Sequence, residues 1–343
     1  MRLLQAMAGG RHGGAEAFFA RLTAAFDRRD DLVQRALVRR GGVWAKTLQD
    51  AGTDTVELPF GGWLDFRSKA IFRRQIESFK PDIVLTWMNR ASKFCPKSSS
   101  TAPFVHVARL GGYYELKNYQ GCDHLVGNTH DIVKYVVGAG WPADRAHYLP
   151  NFVSSQQSPP VPRDTFDTPS GAPLIVALGR LHTNKAFDVL LQALANVPNA
   201  YLWIAGEGPE RQSLEQLSTR LGLNDRVRFL GWRDDAEALY AAADVFVCPS
   251  RHEPLGNVVI EAWAQARPVV ATRSAGPESL ITDGETGLLT SVDDAAGLAT
   301  ALNKVIAEPE LRAQLVTAGQ AAYEAEFTEQ AVVERYIEFF HAV

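Results

Sequence analysis

The stretch Val245-Phe246-Val247-Cys248-Pro249-Ser250-Arg251-His252-Glu253-Pro254-Leu255-Gly256-Asn257-Val258-Val259-Ile260-Glu261 contains the change of rhythm that decides the fold. Residues 245–247 are a short apolar run. Pro254 and Gly256 make a turn, and a helix begins near Gly256 or Asn257 and runs to about residue 265. A further apolar run follows at 268–271. Strand, turn, helix and strand in that order make a βαβ unit of a parallel sheet, because parallel neighbours need a crossover and a helix supplies it. The first N–H groups of such a helix and its positive dipole end suit phosphate oxygens. Glu261 stands about one turn into the helix, where a carboxylate can accept from two vicinal ribose hydroxyls. Glu253 precedes the turn and can point at a sugar.

The same alternation extends outward on both sides. Apolar runs at 174–178, 201–205 and 227–230 stop at Gly179, Gly206 and Gly231, and helical patterns follow near 185–195, 210–221 and 234–242. The first half repeats this less cleanly. Strands are expected at 2–7, 32–38, 83–87, 104–108 and 124–126, with helices at 15–28 and 129–138 and a last helix at 329–341. Between the halves lies a Pro-, Ser- and Gln-rich segment that resists regular structure and reads as a linker. Two doubly wound α/β halves place an active site in the crevice at their strand ends.

With 343 residues, 46% of them hydrophobic and 22% charged, the chain has material for about two globular domains. The first 150 residues hold 21 Lys/Arg and 14 Asp/Glu, a balance of +7; the remainder holds 14 and 25, a balance of −11. No run approaches the roughly 20 apolar residues of a spanning helix. The opening apolar stretch soon meets Gly9-Gly10 and reads as a strand rather than a signal peptide. Cys95, Cys122 and Cys248 are too widely spaced for a disulfide framework or a zinc site, so a reducing, cytoplasmic setting is expected.

Two loops join the first motif as anion-binding candidates. Gly9-Gly10-Arg11-His12-Gly13-Gly14-Ala15-Glu16 follows the first strand and opens a helix, with glycines that let backbone N–H groups approach an anion. It lacks the Lys-Ser/Thr pair of a nucleoside-triphosphatase loop. Gly179-Arg180-Leu181-His182-Thr183-Asn184-Lys185 carries two cations five residues apart across a turn. Arg180 can act as a fork and Lys185 as a point charge on one diphosphate.

Residues 174–290 resemble the donor-binding domain of a retaining family-4 (group 1) glycosyltransferase. The matching residues are Gly179-Arg180-Leu181…Lys185, Gly206-Glu207-Gly208-Pro209, Phe229-Leu230-Gly231-Trp232 and Glu253…Glu261. His12-Gly13-Gly14-Ala15-Glu16 is similar to the family's opening loop. Trp87-Met88-Asn89-Arg90-Ala91 and Ala108-Arg109-Leu110-Gly111-Gly112-Tyr113-Tyr114 resemble a bacterial branch that builds lipopolysaccharide and other envelope glycans.

The resemblance implies the GT-B fold, two Rossmann-like doubly wound domains facing a cleft. An acceptor domain would span 1–152 plus a C-terminal helix, 328–343, that crosses back to it. A linker would occupy 153–173 and a nucleotide-sugar donor domain 174–327. Arg180 and Lys185 would hold the donor diphosphate and steady the leaving group. Leu255, Gly256, Asn257 and Val258 would present groups to the sugar and phosphates, with Glu261 on the ribose and Glu253 on the transferred sugar. The base would lie near Trp232 and Gly208. His106 would stand near acceptor and sugar, and Gly13 and Gly14 would approach the diphosphate from the opposite wall. Leu255 departs from the family's more usual Phe, and Ala186 from its Gly.

No Asp-x-Asp pair stands out, and the cations with a helix dipole can replace a divalent ion, so neither metal nor cofactor is expected. The implied reaction moves a hexose from a nucleotide-diphosphate sugar to a glycan or lipid-linked acceptor with retention. Both a same-face and a double-displacement route are open at this level. Residues 63–80 interleave Arg67, Lys69, Arg73, Arg74 and Lys80 with Trp63, Phe66, Phe72 and Phe79. That pattern suits either peripheral contact with an anionic membrane, as on the inner face of the cytoplasmic membrane, or an ordinary surface helix. Nucleic acid is not an expected partner of so acidic a chain. The alternatives are a GT-B epimerase or phosphorylase, or a non-catalytic sugar-nucleotide-binding protein.

Overall fold

The computed structural model describes residues 1–10, 14–62 and 65–343. The chain forms two compact units, Met1–Phe152 with Glu329–Val343, and Val153–Thr328.

Unit 1 runs β1 (Arg2–Met7), α1 (Gly14–Asp27), β2 (Val33–Arg39), α2 (Val43–Asp50), β3 (Thr55–Leu58), α3 (Phe66–Phe79), β4 (Ile83–Trp87), α4 (Met88–Phe94), β5 (Val105–Leu110), β6 (His124–Gly127), α5 (His130–Gly138) and β7 (Ala146–Tyr148). The strands form one parallel sheet in the order β3-β2-β1-β4-β5-β6-β7. The central strands β1 and β4 are apolar almost throughout, because helices cover both faces of a parallel sheet. Strand order reverses between β1 and β4, which opens a crevice at their carboxyl ends.

Unit 2 continues with β8 (Leu174–Leu178), α6 (Phe187–Leu194), β9 (Tyr201–Ala205), α7 (Arg211–Arg220), β10 (Val227–Gly231), α8 (Ala236–Ala242), β11 (Val245–Cys248), α9 (Asn257–Ala264), β12 (Val269–Thr272), α10 (Ala275–Leu280), β13 (Leu288–Thr290), α11 (Ala295–Ala307) and α12 (Pro309–Glu326). Its parallel sheet has the order β10-β9-β8-β11-β12-β13, with the reversal between β8 and β11.

The segment 153–173 does not behave as a linker. It packs on unit 2, because its few apolar and polar anchors all find partners there. Phe166 lies edge-on to Trp203 with centroids 5.0 Å apart, and the Trp203 indole N–H donates to Thr168 Oγ1 at 2.9 Å. Arg163 donates to the carbonyls of Ala172 and Ala242 and to Asp244 at 2.8–3.0 Å.

The last helix, α13 (Glu329–Ala342), belongs to unit 1. Val332, Val333, Tyr336, Ile337, Phe339 and Phe340 join the core built on Phe18, Phe26 and Trp87. Arg109 of β5 ties it in from below. Its guanidinium lies 4.7 Å from the Phe18 ring and 4.6 Å from the Trp87 ring, donates from Nε to the Tyr336 hydroxyl at 2.8 Å, and donates from Nη2 to Asn151 Oδ1. Arg109 is 1% exposed, so its charge is sustained by aromatic faces and neutral acceptors. Arg109→Met removes the buried donor to the Tyr336 hydroxyl and to Asn151 Oδ1. It is expected to cost about 2–4 kcal/mol, read as a lowered urea midpoint. A change within about 0.5 kcal/mol contradicts this role.

Candidate active site

The strand ends of unit 2 bring the motifs together. Trp232 follows β10, Gly206-Glu207-Gly208 follow β9, Gly179-Arg180 follow β8, and Glu253 to Asn257 follow β11. These four strands are consecutive neighbours, so the row spans three inter-strand spacings, about 14 Å. The loops are laced to each other by backbone bonds. Gly206 N–H donates to the Gly231 carbonyl at 2.7 Å, Gly179 N–H to Ala205 at 3.0 Å, and Leu181 N–H to Glu207 at 2.9 Å. Gly208 is required here, since a Cβ on it would overlap the Leu181 carbonyl oxygen.

Across the β8/β11 reversal, Lys185 Nζ donates to Glu253 Oε2 in an ion pair that is largely shielded from solvent. Arg251 bolts the two loops together. Its Nη atoms grip both carboxylate oxygens of Asp188 at 2.9 and 2.7 Å, and Nη1 also donates to the Thr183 carbonyl at 2.8 Å. The N–H groups of Arg251 and His252 both donate to the Asn184 carbonyl. Burial alone would raise Asp188, but the Arg251 hydrogen bonds and charge outweigh it and hold the carboxyl below its usual range. Arg251, Asp188 and Asn184 were not expected from the sequence. Only the Arg-His-Glu run before the turn hinted at them.

The helix α9 begins at Asn257, with Gly256 as its cap in the left-handed region at φ +73°. Leu255, Asn257 and Val258 are half-buried around that start, and Glu253 is buried beneath it. Glu261, one turn on, accepts at Oε2 from the buried Tyr240 hydroxyl at 2.9 Å, which fixes the carboxylate's orientation. Burial, then the Glu261 charge, pushes the Tyr240 phenol well above its usual value, so it stays a donor. Trp232 is 75% exposed and is steadied by a 2.9 Å bond from its indole N–H to Asp234. Arg180 is exposed on the rim. Ala186 adopts φ +51° at the entry to α6, the conformation that glycine takes without strain.

In unit 1, Gly10 N–H donates to Glu16 at 2.9 Å and Gly14 opens α1, so the described part of the first glycine loop is closed by its own glutamate. Gly13 lies outside the described residues. His106 lies inside the unit 1 sheet. It is the second residue of β5, near the amino end of the strand, and is 2% exposed. Nε2 lies 2.9 Å from Thr86 Oγ1 and Nδ1 3.0 Å from the Gly121 carbonyl, so both ring nitrogens are engaged inside the protein. Burial lowers its pKa from 6.5 to about 4. Below its ordinary pKa the unfolded chain takes up a proton that the folded chain refuses. The contribution of His106 to stability is therefore full above about pH 6.5 and is lost as the pH falls towards 4. His106→Gln is expected to lack that loss. The difference in unfolding free energy between wild type and variant should shift by on the order of 3 kcal/mol between pH 7 and pH 4. Parallel pH profiles would contradict the assignment.

Among the described residues, no group of three His, Cys, Asp or Glu side chains could hold a metal ion, and no helix is long and apolar enough to cross a membrane.

Two parallel α/β units of this topology, the second with its candidate site at the reversal of strand order, define a GT-B architecture. Residues 172–308 match the family described as "Glycosyl transferases group 1". Over 96% of each chain the protein is 36% identical to lipopolysaccharide core biosynthesis glycosyltransferase LpsE of Rhizobium meliloti strain 1021. It is 38% identical to LpsD of the same strain, again over 96% of each chain. Anabaena Alr3699/HepE, solved in complex with UDP, superposes over the whole of both chains with a TM-score of 0.86 at 22% identity. The chain belongs to the group 1 glycosyl transferases. It is a glycosyltransferase, which sets aside the epimerase, phosphorylase and non-catalytic readings.

Proposed function

We propose that the protein moves a hexosyl group, with retention, from a nucleotide-diphosphate sugar to a glycan or glycolipid acceptor in lipopolysaccharide or related envelope synthesis. The observation that carries this is the near full-length similarity to the two lipopolysaccharide core glycosyltransferases. The row of strand ends in unit 2 supports the donor assignment. The base stacks near Trp232 beside Gly208, and the ribose bonds to Glu261. The diphosphate meets Arg180, Lys185 and the start of α9 at Leu255 to Val258. The sugar reaches Glu253. Unit 1 takes the acceptor.

In this reading the acceptor hydroxyl attacks the anomeric carbon on the face the leaving group departs from. The bond from that carbon to the β-phosphate oxygen breaks, and the acceptor proton passes to a phosphate oxygen. Glu253, already engaged by Lys185, orients the sugar rather than forming a covalent intermediate. Arg180 and Lys185 offset the charge that develops on the nucleoside diphosphate, in place of a divalent ion.

The outer face of α3 bears Phe66, 69% exposed, with Arg67, Lys69, Arg73 and Arg74, and Lys80 follows as its C-cap, while Phe72, Ile76 and Phe79 face the core. That face suits peripheral contact with anionic lipid on the cytoplasmic side of the membrane.

Transfer assays with Lys185→Ala and Glu261→Ala test the donor site. Each is expected to lower kcat/KM by about 10²–10³, and a chelator is expected to leave the wild-type rate unchanged. Wild-type rates in both variants, or a chelator-sensitive rate restored by a divalent cation, would sink it.

A further inference from the structure

We infer that unit 1 holds an anion-binding subsite, between the loop that follows β3 and the first turns of α3 and α4, for a phosphate or carboxylate group carried on the acceptor saccharide. The word acceptor rests on the transferase reading above; the anion site rests on its own residues. A cavity of about 390 Å³ is lined there by Gly61, Gly62, Lys69, Asn89, Arg90 and Lys93. The volume suits one phosphorylated or acidic sugar unit. It lies at the carboxyl edge of the parallel sheet, where such sheets bind ligands.

Three cations converge on this cavity and no carboxylate is among those six lining residues. The neighbouring acids are already committed. Asp65 caps α3. Its Oδ2 accepts from Gly61 N–H at 2.7 Å and from the Ser68 hydroxyl, and its Oδ1 from Ser68 N–H at 2.9 Å. Glu115, whose carboxyl feels the Lys93 charge, is paired with Lys117. Asn89 accepts at Oδ1 from the Tyr119 hydroxyl at 2.5 Å, which leaves its amide NH₂ as a donor. Lys69, Arg90 and Lys93 form no ion pair among the described residues, so three positive charges and one amide stand around a cavity without a counter-charge of their own.

The backbone is shaped for this arrangement at some cost. Phe60 and Met88 both have left-handed φ, +41° and +59°, although neither is glycine. Phe60 is fully buried and is held by its N–H to Ser68 Oγ at 2.8 Å. Met88 turns the chain from β4 into α4 with no intervening loop, which delivers Asn89 and Arg90 to the cavity wall. Non-glycine residues held in this region persist when the surroundings over-determine them, and they cluster at ligand sites. Phe60 lies beside Gly61 in the loop after β3, and Met88 opens the helix that carries the other lining residues.

Calorimetric titration of the full chain with glucose 6-phosphate, glucuronate and glucose tests the inference, with the donor-site variant Lys185→Ala as control. The two anionic probes are expected to bind at least ten-fold more tightly than glucose. Arg90→Ala/Lys93→Ala should lose at least ten-fold of that affinity, and Lys185→Ala should keep it. Equal binding of glucose and glucose 6-phosphate, an unaffected double variant, or loss in Lys185→Ala alone would each overturn it. So would binding of phosphatidylglycerol vesicles through Arg90 and Lys93 with no binding of either sugar acid, since the cations would then serve a lipid surface. Charge-selective binding without any transfer activity would sink the transferase reading and leave the subsite standing. Normal transfer with an unaffected double variant would do the reverse.

Discussion

The ion pair between Lys185 and Glu253 joins the two loops that leave β8 and β11, where the second sheet reverses its strand order. A parallel sheet that grows outward in both directions from its first strand leaves a gap at that point, and something must brace the loops on either side of it. Here the brace is charged and only partly exposed, and the surrounding bonds make it rigid. Arg251 grips Asp188, and two successive N–H groups converge on the Asn184 carbonyl. The loop of Lys185 and the loop of Glu253 are therefore one piece. A cation and a carboxylate stand at fixed places beside the start of α9.

Unit 1 solves a different problem. Its last helix arrives from the far end of the chain and has to be fixed to a sheet completed nearly two hundred residues earlier. Aromatic packing supplies most of the contact, but Arg109 supplies direction, since its fork reaches Tyr336 and Asn151 while its faces lie on Phe18 and Trp87. A buried guanidinium with no carboxylate partner is stable only where rings and neutral oxygens replace the solvent it has lost. The Arg109 site has four such groups. The same unit places Lys69, Arg90 and Lys93 around the cavity by α3 and α4, with no acid among its described lining residues.

Much of unit 2 was legible in the sequence because its constraints are local. Short apolar strands stop at glycines that the close approach of neighbouring loops demands, as at Gly206, and the helix after Gly256 begins within one residue of where the turn places it. Unit 1 was harder to read. The edge strand β3, Thr-Val-Glu-Leu, alternates polar and apolar residues but is only four residues long and half-buried, too short a run to stand out, while α4 is short and starts at a left-handed Met88 that no periodicity announces. An apolar strand sequence does not reveal the polar niche that Thr86 and the Gly121 carbonyl form around His106. The segment 153–173 looked like a linker because its proline content hid three anchors, Arg163, Phe166 and Thr168, whose partners lie far along the chain. Arg251 and Tyr240 escaped notice for the same reason. Each orients a site residue through a contact that depends on the tertiary fold.

The proposed function divides labour between Lys185 and Glu253, the first proposed to hold phosphate and the second sugar. Calorimetric titration of UDP and GDP into wild type, Lys185→Ala and Glu253→Gln separates these roles. For whichever diphosphate binds wild type, Lys185→Ala should lose at least ten-fold in affinity. Glu253→Gln should bind as tightly or more tightly, because the lysine is released from its carboxylate, yet fail to transfer sugar. Wild-type affinity in Lys185→Ala, or an equal loss of affinity in Glu253→Gln, would contradict it.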